Sequence, residues 1–138
     1  MSVPRLIAGL LVGCASAVAI AKVGFSTLRV AWPEYAIAEP DKAYTLGMLF
    51  ARLSIAALLT AGAACAATLV AGDNGRTAWC LGALFVLLSL PSHLYYVWDD
   101  YPAWYHAVYL LSLVPIAGYS GRFLAATFPH QANREPAG

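Results

Sequence analysis

Residues 46–98 read LGMLFARLSIAALLTAGAACAATLVAGDNGRTAWCLGALFVLLSLPSHLYYVW: an apolar run over 46–71, the pentapeptide GDNGR over 72–76, and a second apolar run over 77–98. About 20 predominantly apolar residues carry a helix across the hydrocarbon core of a bilayer, so each run is long enough for one crossing. The pentapeptide leaves room only for a reversal. Its first glycine suits the end of the preceding helix, and Asp, Asn and Gly supply the turn. Two such runs joined by a tight polar turn read as a membrane hairpin, which points to an all-α integral membrane fold.

Further spans are expected on either side, at residues 6–28 and 103–126. The composition agrees: 61% of the 138 residues are hydrophobic, 11% are charged, and the mean hydropathy is +0.68. A soluble domain carries about a quarter charged residues. The net charge of +1 and the lack of a Lys/Arg run exclude nucleic acid as an expected partner. The connection WPEYAIAEPDK (32–42) holds two prolines and reads as an ordered or interfacial loop; DDYP (99–102) reads as a short turn. The expectation is one all-α domain over residues 1–128, an integral membrane four-helix bundle with antiparallel up-down topology. Residues 129–138 read as a polar flexible tail. Leu11-Val12-Gly13-Cys14 fits a lipoprotein cleavage box and AIAK (19–22) a signal-peptidase site, but the apolar stretch continues past Cys14. A retained first helix is therefore expected, with cleavage or lipidation at Cys14 as the alternative.

Orientation follows from the excess of Lys and Arg on cytoplasmic segments. With both termini in the cytoplasm, Arg5, Arg76, Arg122 and Arg134 fall inside; Arg29 and Lys42 fall outside, and Lys22 lies near the outer face. The expected location is the inner membrane of a bacterium. Most of the tryptophans and tyrosines, Tyr35, Tyr96, Trp98, Tyr101, Trp104 and Tyr105 among them, then gather at the outer end, where two even belts would be the ordinary pattern. Cys14, Cys65 and Cys80 fall in the inner halves of their helices without a Cys-x-x-Cys, so they read as buried and inert rather than as a thiol-oxidation site.

The outer end carries the candidate chemistry. HLYYVWDDYPAWYH (93–106) sets His93 and His106 symmetrically about Asp99 and Asp100. At 1.5 Å per residue each ring sits about 9 Å below the turn, so the two histidines of an antiparallel hairpin can meet. The aspartates are expected to cap the fourth span, with Pro102 in its first turn. Pro91 frees the carbonyl of Leu87, and Pro115 that of Leu111. Arg52 lies inside the second span and needs an interior partner such as Glu39, Asp99 or a bound anion. Lys22, Ser26 and Arg29 share a stripe and can snorkel to the outer headgroups. The four-residue repeat Gly9, Gly13, Ala17, Ala21, with GAACAAT (62–68), reads as close packing inside the bundle. Gly118-Tyr119-Ser120-Gly121 superficially resembles the Gly-x-Ser-Gly of rhomboid proteases, but it ends the last span with no membrane histidine after it and is not read as catalytic.

Two functions are expected from this pattern. One is a site at the outer face, lined by Arg52, Lys22, Tyr96, Asp99, Trp104 and Tyr105, that binds a lipid-like or quinone-like amphiphile, or else service as an accessory subunit, with membrane lipids or a small amphiphile, a larger membrane complex or a second copy as partner. The other is a membrane enzyme or redox protein using His93 and His106 as acid and base, or as haem or transition-metal ligands. No cofactor is expected under the first.

Overall fold

The computed structural model describes residues 2–128, which form helices and turns with no strand among them. The expected tail, 129–138, lies outside the described residues. In chain order the elements are α1 (Val3–Ala31), α2 (Pro33–Ala38), α3 (Leu46–Ala71), α4 (Arg76–Pro91), a π-turn (Ser92–Tyr96), a 3₁₀ turn (Trp98–Asp100) and α5 (Ala103–Thr127). Among the described residues, four helices are long and apolar enough to cross a membrane: α1, α3, α4 extended by its π-turn, and α5.

Local chemistry sets the boundaries. Trp32 precedes Pro33 and is driven out of the helical region, to φ −134° and ψ 87°, which ends α1 and starts the short α2. The Thr45 hydroxyl accepts from the Met48 N–H at 3.4 Å and opens α3. Gly72 closes α3 in the left-handed region at φ 62°. Asp73 then organises the reversal, its carboxylate accepting from the backbone N–H groups of Gly75 and Thr77, both at 2.9 Å. At the far end of α4, Pro91 removes a backbone donor, and the chain answers with a π-turn closed from Val97 N–H to the Ser92 carbonyl at 3.0 Å. The expected aspartate cap of α5 is not made. Pro102 occupies the N-cap, and Asp100 instead forms an ion pair with Lys42.

The bundle core is built of small residues. Ala63, Ala64 and Ala67 have no exposed surface, while Leu58 and Leu111 are 67% and 77% exposed. Large apolar side chains facing outward suit a hydrocarbon solvent, where small interfaces let backbones approach. The repeat on α1 is consumed inside the molecule. A Cβ at Gly9 would stand 2.8 Å from the Ala67 carbonyl oxygen, and one at Gly13 would stand 2.8 Å from the Leu81 side chain. On the α4–α5 side, Gly118 accepts the face of Trp79, where a Cβ would sit 2.2 Å from the indole, and Gly121 packs on Ala78. That is the role of the Gly-x-Ser-Gly sequence. Of the cysteines, Cys14 and Cys65 are half-buried, but Cys80 faces outward, correcting the expectation that all three are buried.

Candidate functional site

Arg52, in the second turn of α3, is held by residues from four other parts of the chain. Its Nη1 donates to the Tyr35 hydroxyl at 2.5 Å and to the Tyr44 hydroxyl at 3.2 Å. Its guanidinium carbon lies 5.0 Å from the Phe25 ring centre, 4.8 Å from Tyr44 and 5.4 Å from Tyr101. These are cation–π distances, and they compensate part of the lost hydration of a buried charge. Tyr35 has no exposed surface, and its hydroxyl donates to Glu39 Oε1 at 3.4 Å. Glu39 stands 4.0 Å from Arg52 and is gripped on its other side by Arg29, through Nε and, at 3.0 Å, through Nη2. One carboxylate thus serves two guanidiniums.

The electrostatics outside the spans follow from these contacts. The Arg29 hydrogen bond holds the Glu39 carboxyl below the usual carboxylate range. Burial pushes the Tyr35 phenol up to about 12, against the pull of Arg52. Burial raises Tyr101 as well. Both phenols therefore stay protonated and available as donors beside a permanent cation.

The two histidines do meet. His93 Nδ1 and His106 Nδ1 are 2.8 Å apart, and His106 Nε2 lies 3.2 Å from the Trp98 carbonyl oxygen. His106 is 2% exposed, stacked on the Trp98 indole at 4.8 Å with the edges of Tyr101 and Tyr105 around it. His93 stacks on Tyr109 at 4.4 Å. The π-turn carries His93 and the 3₁₀ turn presents the Trp98 carbonyl, so the irregular backbone after Pro91 is what assembles the pair.

A cavity of about 270 Å³ joins the two groups. Arg52, Tyr101, Tyr105 and Phe25 line one part of it; Ser92, His93, Val97 and Tyr109 line another, over Ala56 and Leu59. Its volume lies just under the range of small-molecule pockets, about 300–1,000 Å³. Of the residues expected from sequence, Arg52, Tyr105 and His93 line this cavity, and His106 backs it. The others do not. Tyr96 is 81% exposed on the outside of the π-turn, Asp99 and Lys22 are exposed, and Trp104 turns outward onto Phe50 with ring centres 5.7 Å apart. Sequence reasoning missed the cage of Phe25, Tyr35 and Tyr44. The signal available was the excess of aromatics at one end, which gives no pairing.

Metal or haem ligation fits these residues poorly. Two nitrogens bound to one tetrahedral ion at 2.0–2.1 Å stand about 3.3 Å apart, whereas the histidine nitrogens face one another at the distance of a direct N–H···N hydrogen bond. A haem between them would need the rings parted to either side of its plane. Among the described residues no three His, Cys, Asp or Glu side chains converge. No protein-family model, no curated protein and no solved structure matches this chain.

Proposed function

We propose that the protein is an antiparallel up-down bundle of the inner membrane of a bacterium, with both termini cytoplasmic, and that it binds a ring-headed, quinone-like amphiphile in the cavity between Arg52 and His93. The up-down order is supported by packing that runs in reverse along neighbouring helices. Gly9 meets Ala67 and Gly24 meets Ile55; Gly121 meets Ala78 and Gly82 meets Val114. The orientation is supported by charge pairing. Arg5, Arg76 and Arg122 make no ion pair among the described residues, while Arg29 and Lys42 at the other end are matched by Glu39 and Asp100. The unmatched end is the positive, cytoplasmic one.

The observation that carries the binding reading is the single cavity lined at once by a buried guanidinium and an imidazole, with aromatic walls between them. Flat walls suit a planar head, and a cation beneath suits its oxygen. The test is extraction and mass spectrometry of the protein purified in mild detergent from its native membrane. Wild-type protein retains a ring-headed amphiphile. The variant Ala56→Phe, which fills the cavity from its floor and removes no polar group, loses it. Equal retention by a folded Ala56→Phe protein counts against the reading.

A further inference from the structure

We propose that His106 acts as a positioning residue that fixes His93 as a proton acceptor toward the cavity, so that the site selects a head bearing a hydroxyl: a hydroquinone or phenol rather than a quinone. This rests on the binding reading above and names its ligand class. The Trp98 carbonyl oxygen accepts and cannot donate, so the His106 Nε2 that faces it must carry hydrogen. A neutral His106 then offers only a lone pair at Nδ1. Across 2.8 Å, His93 Nδ1 must supply the proton between them. Neutral His93 is left with an unprotonated Nε2.

That nitrogen has no hydrogen-bond partner among the described residues, and His93 lines the cavity. His93 Nε2 is thus an acceptor without a donor, in the same cavity as Arg52, a donor that can never accept. A quinone carbonyl satisfies Arg52 and leaves Nε2 facing another lone pair. A hydroquinone, with one oxygen on the guanidinium and one O–H toward His93, satisfies both.

The same chain of bonds can move the proton. When the ligand O–H passes its proton to His93 Nε2, the His93 Nδ1 proton can pass to His106 Nδ1. The ligand keeps the electron pair as an oxyanion beside Arg52, and the charge rests on a His106 whose two N–H groups face His93 and the Trp98 carbonyl. No oxidant enters, and no bond other than O–H and N–H is made or broken. His106 reaches no cavity surface in this scheme and acts only through His93.

The experiment has two parts on the full chain in lipid nanodiscs. Nitrogen-15 NMR of the imidazoles reads the tautomers directly, and calorimetry compares a short-tailed hydroquinone, its quinone and its dimethyl ether. The expected result is hydrogen on His93 Nδ1 and His106 Nε2, with the hydroquinone bound at least tenfold more tightly than the ether or the quinone. His106→Phe keeps the ring stacked on Trp98 but deletes the acceptor, and it returns His93 to a tautomer mixture and erases the preference. A His93 protonated at Nε2 in the wild-type protein overturns the inference whatever binds. The stated tautomers with equal affinity for all three ligands overturn the selectivity. The stated tautomers with no binding of any ligand overturn the binding reading beneath it and the ligand class with it.

Discussion

Replacing Arg52 with methionine and, separately, with alanine divides a site from a strut. A guanidinium that held the bundle together would be missed in both variants. Its gains are two hydrogen bonds, to Tyr35 and Tyr44, and three aromatic contacts at 4.8–5.4 Å. Charged hydrogen bonds contribute about 1.5–3 kcal/mol each, and a cation–π contact about 0.5–2 kcal/mol. Against them stands desolvation of a side chain only 17% exposed, several kcal/mol by itself. A further 1–3 kcal/mol or so is lost at Nε, which is buried with no partner. The two sides are of similar size. Methionine removes both and still fills the space between the rings, and Tyr35 keeps its bond to Glu39. We therefore expect Arg52→Met to unfold within about 1 kcal/mol of wild type, as buried ionic groups replaced by apolar ones commonly do. Arg52→Ala empties the space instead and loses about 3 kcal/mol. Reversible unfolding in mixed micelles, followed by circular dichroism, measures both, and bound amphiphile is extracted from the same samples. Both variants lose the amphiphile. A loss of more than about 3 kcal/mol in Arg52→Met would refute the reasoning, because the charge would then be structural.

Gly118→Ala drives a methyl into the Trp79 ring and is expected to destabilise by about 1–3 kcal/mol, as overpacking does, seen as a lower thermal midpoint. Asp73→Ala strips the acceptor from two backbone N–H groups at the α3–α4 reversal and is expected to cost about 1–2 kcal/mol in the same assay. For Glu39 the folded carboxyl ionises below its ordinary value of 4.5. Its stabilisation is fully present above that value and is lost as pH falls through the folded value. Stability titrated downward from pH 5 should therefore fall, with a shallower slope in Glu39→Gln; equal slopes would remove Glu39 from the account.

The spans were legible because their length and apolarity are properties of consecutive residues, and the Gly9–Ala17 stripe because helical spacing converts directly into a face. The histidine pair was legible in part: equal offsets from a turn bring both residues to one end, but on the His93 side the π-turn and the 3₁₀ turn replace the regular helical rise that the offset assumed. The cavity was not. Its Arg52 end is closed by Tyr35 and Tyr44, brought over by a six-residue helix that exists because Pro33 follows Trp32. Tyr96 and Trp104 were placed at the site by proximity in sequence. The π-turn breaks the 3.6-residue period around Tyr96, which faces outward, while Trp104 precedes the cavity-lining Tyr105 on α5 and points to a different face of that helix, onto Phe50. The aspartates were assigned to a local cap, yet Asp100 is taken by Lys42, a partner distant in sequence that no local rule reveals.

The most direct measurement is solid-state NMR of the protein in lipid, with carbon-13 in the ring of a short-tailed hydroquinone and nitrogen-15 in arginine and histidine. Magnetisation transfer is expected from the one ring to both the Arg52 guanidinium and His93 Nε2, and it is lost when Ala56→Phe fills the cavity. Transfer to neither, with contacts instead at the shallow apolar groove of Ala19, Ile20 and Val23, would place the ligand among the lipids and contradict it.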